Sequence, residues 1–430
     1  MINRIITNLK VLWQKGALYI VIGSFATKFV TLFGSIFIVR LLSKDEYGVL
    51  SYVENLYSFV LLIAGFGLSN AVLRYVVLGN DLSEKKKYYK YINNRSWVYN
   101  IIISIVFIVS AFIYPHPAEF TNSSLFLALM LVMLPFQYNV ENNLATERAM
   151  FQNRRFAVYS FIVSTVVVLG KVFGAFIGNI GSIIAVTVAI YMAGGAVTTS
   201  FVKKRYFKNI KEDKIDKKQK KEINIYSFQY MITNGLWTLF MISDVFLLSK
   251  LGCSPDIIAD YKIAYVWPAN VGIICSAIAV FVTPYFVRNE KNKVWVRTNF
   301  IKVYLVNLGV VLIIGGFLCV LAKPLIYVYA GAKYMNTINL MRIILIGALI
   351  NNGLRMITAN TLSAMGQVKY NMVVSLIGVV LQISINIVVI PKFGTYGVAC
   401  TSIFVYTLMA IILFFIFARK YDLFKRTGIK

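Results

Sequence analysis

A succession of long apolar runs limits what this chain can become more than any other feature. They cover residues 17–42, 47–73, 97–114, 121–146, 156–178, 182–203, 225–250, 257–287, 300–322, 335–363, 371–390 and 395–418. A hydrocarbon core about 30 Å thick is crossed by roughly 20 apolar residues in a helix. Each run is long enough for that, some with tilt or with polar ends outside the core. Helices are the spans to expect, because a segment in lipid must pair all its own backbone groups, and these runs are continuous rather than short alternating strands. Composition agrees: 59% of the 430 residues fall among AVILMFWYC and only 14% are charged. A soluble domain holds about half apolar residues and a quarter charged ones. The sequence therefore predicts an all-α integral membrane protein with about twelve transmembrane helices. The first run is not expected to be a cleaved signal, since it is long, carries Lys28 midway and lacks a small-residue cleavage pattern.

The basic residues set the orientation. Of 44 Lys and Arg, 33 lie at the termini and in alternate connections, and six lie in the other set. The positive-inside rule then places both termini in the cytoplasm with an even number of spans. The stretch 203–224 is the one long polar linker and divides the runs six and six. This predicts an N-terminal segment 1–16, an N-lobe 17–203, a basic linker 204–224, a C-lobe 225–418 and a basic tail 419–430. In the first segment Ile2, Ile5, Ile6, Leu9, Leu12 and Trp13 share one helix face, as in a helix lying on the membrane surface. A frayed basic terminus is the alternative. A net charge of +27 would suggest nucleic acid in a soluble protein. Here the basic linker reads as a solvated segment beside anionic lipid headgroups, and no nucleic acid partner is expected.

The halves look related. Ala149-Met150-Phe151-Gln152-Asn153-Arg154 after the fourth run matches Ala364-Met365-Gly366-Gln367-Val368-Lys369 after the tenth, at an offset of 215. A weaker echo pairs Ser43-Lys44 with Ser249-Lys250. A repeat of six helices keeps its orientation, so the lobes would be related by an axis along the membrane normal with a site between them.

Charged groups inside the runs are informative, because each costs about 2.5–3.5 kcal/mol to insert unless it meets a cavity or a partner. They are Lys28, Glu54, Glu141, Lys171, Asp244, Lys262, Arg342 and Arg355, with Arg74 at the end of the second run. Most are basic, and a hydrated cavity lined by Lys and Arg favours an anion such as phosphate. Lys28, Arg74, Lys262, Lys171 and Arg355 are thus candidate anion-binding residues, with Lys28, far from either end of its run, the most telling. Lys262 snorkelling to the interface is an alternative, as are interfacial positions for Glu141, Arg342 and Arg355. Glu54 and Asp244 are candidates for ion coupling, although a structural pairing with lysine suits Asp244 equally. Gln382 and Asn386, four apart, share a face and could ligate a cation or bind sugar hydroxyls. Asn139, Asn142, Asn143, Asn351, Asn352 and Asn360 could line a polar cavity or hold helices together. Gly174 and Gly178 form a GxxxG, most simply a packing face.

Several chemistries lack their residues. There is no GxxxxGK[ST] loop, no HExxH, no nucleophile elbow and no carboxylate cluster with metal spacing. His116 is the one histidine, and the four cysteines stand singly. Neither an enzyme nor a cofactor is expected.

Phe37-Ile38-Val39-Arg40-Leu41-Leu42-Ser43-Lys44-Asp45-Glu46-Tyr47-Gly48, with Gly67-Leu68 and Ala71-Val72-Leu73-Arg74-Tyr75, resembles the amino-terminal signature of bacterial polysaccharide flippases. Ala364-Met365-Gly366-Gln367 through Asn386-Ile387-Val388-Val389-Ile390-Pro391-Lys392-Phe393-Gly394-Thr395-Tyr396-Gly397-Val398-Ala399 is similar to their carboxyl-terminal lobe. The likeness spans essentially the whole chain. It points to the Wzx-type oligosaccharide flippases of the multidrug/oligosaccharidyl-lipid/polysaccharide exporter superfamily. The resemblance implies twelve helices in two pseudo-symmetric six-helix bundles around a V-shaped cavity, as in MATE transporters and lipid II flippases. It also implies an undecaprenyl-diphosphate-linked oligosaccharide as substrate, moved across the bacterial cytoplasmic membrane for O-antigen- or capsule-type glycans. Membrane lipids and glycan polymerases or glycosyltransferases are the partners it implies. Related lipid II flippases hold the diphosphate with basic residues of the first, second and eighth helices. Lys28 and Lys262 fit the first and eighth, whereas the second offers Arg74 at its end and Glu54 within. The relative's sodium site uses an Asp of the seventh helix, which Asp244 fits. The eleventh helix offers Gln382 and Asn386 without a carboxylate. Coupling to protons, sodium or the membrane potential stays open. A multidrug exporter of the same fold would want an acidic cavity, a polymerase a large outer loop, and an acyltransferase a membrane histidine.

Overall fold

The computed structural model describes residues 17–423, apart from 212, 274, 277, 279–281, 283–285, 287–288, 290 and 366. The surface helix expected over 1–16 and most of the basic tail lie outside the described residues. All regular structure among the described residues is helical. Among the described residues eight helices are long and apolar enough to cross a membrane by length and composition. Large apolar side chains stand exposed along them, Val320 at 76% for one, as a lipid solvent requires and water does not allow. The chain divides into two compact units, Met1–Gly235 and Leu236–Lys430.

In the first unit α1 is Ala17–Leu41, and Ser43 starts α2, Lys44–Ile63. Ser43 Oγ accepts from the Glu46 amide at 3.1 Å, and Glu46 Oε2 accepts from the Ser43 amide at 2.8 Å. This reciprocal cap satisfies donors that a helix start leaves bare. The run 47–73, expected as one span, is interrupted. Gly65, Phe66 and Gly67 take left-handed φ of 61°, 46° and 72°, and α3 resumes over Leu68–Leu78. The freed Gly65 amide donates to Asn100 Oδ1 at 2.7 Å. A side chain at Gly67 would overlap the Ser227 carbonyl. Two glycines and one buried amide acceptor thus make the break tolerable in lipid.

There follow α4 (Leu82–Ile113), α5 (Ser123–Ala149), α6 (Asn153–Ile177) and α7 (Ile180–Tyr206). A Cβ at Gly23 or Gly34 would run into Ala157 or Val168, so α1 lies close on α6. Gly174 meets the Ile183 backbone and Gly170 meets Ile190, which seats α6 on α7. The expected packing pair is thereby shifted one turn. Gly178, with φ 121° and nothing within 4 Å, is the turn that ends α6.

Helix α8, Lys217–Lys250, crosses the division between units. The boundary falls at Gly235–Leu236 inside this helix, beyond the basic linker 204–224, whose last eight residues are already helical. In the second unit come α9 (Pro255–Asn270), α10 (Lys293–Val320), α11 (Ala322–Ala330), α12 (Ile338–Ile350), a π-helical turn at Asn351–Arg355, α13 (Met356–Ala364) and α14 (Val368–Lys420). Gly394, at φ 53° and ψ −134°, breaks α14 into the two segments expected over 371–390 and 395–418. Phe300 and Phe417, with ring centroids 3.8 Å apart, anchor this unit's core.

The repeat is visible in the backbone. In the first unit the Met150 amide donates to Thr146 O at 2.9 Å and the Gln152 amide to Glu147 O at 3.0 Å. At an offset of 215, Met365 donates to Thr361 O at 3.1 Å and Gln367 to Leu362 O at 2.8 Å. Even the side-chain bonds correspond, Gln152 Nε2 to Met150 O at 3.5 Å and Gln367 Nε2 to Met365 O at 3.4 Å. The second echo is not structural: Ser43 caps a helix start, whereas Ser249 lies in the last turn of α8. The residue that opens the corresponding helix is Ser254, the N-cap of α9.

Candidate functional site

In the first unit, α2 and α6 bring Glu54 and Lys171 together. Lys171 Nζ donates to Glu54 Oε1 at 2.7 Å. One helical turn on from Glu54, the Tyr57 hydroxyl donates to Gln137 Oε1 at 2.8 Å, and Gln137 Nε2 donates to Glu141 Oε1 at 3.2 Å. Tyr191 of α7 lies close enough to Glu141 and Lys171 to feel both charges. Lys171 and Glu54, expected as an anion ligand and an ion-coupling group, are thus engaged with each other. Partnered charges in a low-dielectric region hold helices together, because separating them strands both.

For Asn139 and Asn142 the sequence allows either a polar, sugar-binding lining or a role in holding helices together. Asn142 is fully buried and donates to Asn93 Oδ1 at 3.2 Å. Asn139 donates to Thr199 Oγ1 at 2.9 Å and to Gly195 O at 3.2 Å. Asn143 accepts from the Tyr89 hydroxyl at 2.8 Å and donates to Thr198 at 3.0 Å. These amides tie α5 to α4 and α7, which is the interhelical role such groups take in lipid. Lys28 is exposed on α1. Arg74 is exposed on α3, its guanidinium 4.8 Å from the centroid of the Tyr226 ring.

In the second unit the informative group is Asp244 on α8, 9% exposed. Its Oδ2 accepts from the Tyr261 hydroxyl at 2.9 Å. Its Oδ1 accepts from Gln382 Nε2 at 2.9 Å and from Asn386 Nδ2 at 3.0 Å. Gln382 Nε2 also donates to Ser402 Oγ at 2.9 Å. The four-residue spacing of Gln382 and Asn386 on α14 therefore aims both amides at one carboxylate, as a shared helix face requires. Lys262, half-buried on α9, is near enough for its charge to act on Asp244. Tyr261, Ser402 and Tyr265 join this cluster without having been singled out in the sequence; Tyr261 and Tyr265 stack four residues apart.

The Gln382 Oε1 and Asn386 Oδ1 oxygens are buried without a hydrogen-bond partner. The Asp244 carboxylate, the Ser402 hydroxyl and these two amide oxygens are donor types that hard cations take, although the amide nitrogens are what face Asp244 here. Turning either amide about its last torsion exchanges a donor for an acceptor facing Asp244.

Arg355 is buried in the π-helical turn, its Nε donating to Asn351 Oδ1 at 2.7 Å, with Tyr406 beside it. It supports the turn from inside. Asn360 is half-buried on α13.

Two units of long apolar helices, each with an internal polar or charged cluster, define a multi-pass helical membrane protein. Residues 13–290 match the family described as "Polysaccharide biosynthesis protein", and the chain belongs to that family. No curated protein matches the sequence. The fold is similar to an inward-facing multidrug resistance MATE family transporter of the MOP superfamily, at TM-score 0.72 and 11% identity over 94% of this chain and 96% of that one. It is equally similar to the lipid II flippase MurJ in an inward closed conformation, at TM-score 0.72 and 15% identity over 92% and 86%. A MOP superfamily transporter from Pyrococcus furiosus, titled for the reverse polarity of its binding pocket, matches at TM-score 0.67 and 13% identity over 96% of each chain.

Proposed function

We propose that the chain is a flippase that carries an oligosaccharide repeat unit on undecaprenyl diphosphate from the inner to the outer leaflet. One coincidence carries this reading: a polysaccharide-biosynthesis sequence on a fold shared with transporters. The setting is the bacterial cytoplasmic membrane with both termini cytoplasmic, and the units alternate access by rocking against each other. Lys28 is the central contact for the diphosphate, assisted by Arg74 and Lys262, since ammonium and guanidinium groups bind phosphate oxygens by charge-assisted hydrogen bonds. Lys171 and Arg355 act as supports through Glu54 and Asn351. Asp244, Gln382 and Asn386 would hold a coupling sodium ion or proton, whose charge would offset that of Asp244. With the inside negative, each anionic charge moved outward gains about 2.3 kcal/mol per 100 mV, so the potential favours the same direction.

The test is complementation of a strain lacking its flippase, at matched membrane levels. Lys28→Ala should abolish surface glycan, and Lys28→Arg should retain part of it. Full glycan from the alanine variant removes Lys28 from the centre of the mechanism. Failure of the native chain to restore glycan in its own pathway, together with drug resistance on expression, would point to a multidrug exporter.

A further inference from the structure

A cavity of about 680 Å³ opens in the first unit where the start of α4 meets the end of α7. Five lysines line it, Lys86, Lys90, Lys203, Lys204 and Lys208, together with Tyr89 and Phe207, whose ring centroids are 5.1 Å apart. The arrangement follows from helical spacing. Lys86, Tyr89 and Lys90 share one face of α4, and Lys203, Lys204 and Phe207 share the last turn of α7 and its cap. Lys86 has a structural task, since its Nζ donates to the Phe207 carbonyl at 3.3 Å and to that of Ile210. It thereby satisfies acceptors just past the end of α7. The other four lysines bring charge to the cavity.

No acidic side chain lines the cavity among the described residues. Three acids near it in sequence, among the described residues, have partners of their own: Glu84 with Lys87 at 3.4 Å, Asp213 with Ser83 at 3.1 Å and Glu147 with Tyr206 at 2.7 Å. The pocket also continues into apolar surface. From Lys90 the exposed face of α4 runs through Asn94 to Val98, Ile102, Ile105 and Val109, and from Lys204 that of α7 runs through Phe201 to Val197. Exposed stripes of this composition face acyl chains. A ligand that meets both features is anionic at one end and greasy along its length, as basic pockets at helix ends favour for phosphorylated lipids.

We propose that this pocket binds the phosphate headgroup of an anionic phospholipid of the bilayer itself, with its acyl chains lying along the apolar stripes of α4 and α7. The pocket shares no residue with the proposed transport contacts, and its test does not read transport, so either proposal can fail while the other stands.

Native mass spectrometry of the purified full-length protein, titrated with cardiolipin, phosphatidylglycerol or phosphatidylethanolamine, tests it. The protein should retain the two anionic lipids in preference to the zwitterionic one. At roughly fivefold in affinity per lysine, Lys90→Gln/Lys203→Gln/Lys204→Gln/Lys208→Gln should weaken retention by about a hundredfold or more. The same four positions changed to Arg should keep it. Lys214→Gln/Lys217→Gln/Lys218→Gln/Lys221→Gln, which removes equal charge from the neighbouring linker, should change it by less than about threefold. Should the four-glutamine variant not accumulate, the single change Lys204→Glu, which shifts the charge by two, is expected to weaken retention by about twenty-fivefold. Retention unchanged in the pocket variants overturns the proposal, as does equal loss from the linker variant. Displacement by inorganic pyrophosphate would assign the pocket to a soluble phosphate. Capture of undecaprenyl diphosphate there in preference to cardiolipin would assign it to the carrier lipid, and either result overturns the bilayer-lipid assignment.

Discussion

The two units handle acids within their long apolar helices in different ways. In the first, Glu54 meets a full positive charge, with Lys171 Nζ at 2.7 Å. In the second, Asp244 meets three neutral donors, from Tyr261, Gln382 and Asn386. An ion pair is locked, because moving either partner leaves the other uncompensated. A carboxylate solvated by hydroxyl and amide dipoles can change its charge state or accept a cation, since those dipoles reorient at little cost. The comparison teaches that repeated architecture does not imply repeated chemistry: the turns share a hydrogen-bond pattern while the charges within the helices differ.

The sharpest way to break this comparison is to remove the charge at Asp244. Asp244→Asn should lower surface glycan in a complemented strain by at least about a hundredfold, beyond the ten- to hundredfold that losing a supporting group costs a cation site. Equal activity of Asp244→Asn and the native chain would make both clusters structural. The counterpart in the first unit should respond through stability. Lys171→Met alone should cost about 1–3 kcal/mol of unfolding free energy in detergent, discounted for the 29% and 40% exposure of the two side chains. Glu54→Gln/Lys171→Met should recover most of that loss and retain glycan export. If the double variant is no more stable than the single one, the ion pair is not what holds α2 to α6. The smallest effect is expected where the units agree. Gln152→Ala and Gln367→Ala should each cost no more than about 0.5 kcal/mol and match one another, because both bonds are long and peripheral. A large difference between them would show that the two turns are energetically unlike despite their shared pattern.

Much of this was legible beforehand, for identifiable reasons. The 215-residue echo located matching turns because Met and Gln in that spacing close a helix end by local hydrogen bonds. Gln382 and Asn386 were expected on one face because their spacing is itself helical. The sequence carried a signal for the α6–α7 contact as well, since Gly170 precedes Gly174 by four, but Gly174 and Gly178 drew attention instead. The roles of Asn139 and Asn142 were not decidable from spacing, because cavity-lining and helix-tying amides look alike until the opposing helix is placed. The break at Gly65–Gly67 also escaped notice, since its acceptor, Asn100, comes from a different helix.

What the chain alone determined is its solvent and its class: among the described residues eight helices are long and apolar enough to settle in lipid by themselves, and a segment in lipid must be helical. That energy is local, summed residue by residue, so it can be read without knowing any neighbour. Tertiary structure alone decided which charges meet. Glu54 and Lys171 lie 117 positions apart, and Asp244 lies 138 and 142 from its two amide donors. Their meeting depends on how far each helix is rotated and how deep it sits, which burial of apolar residues on every side leaves undetermined. Close glycine contacts and a few polar bonds between helices set those values.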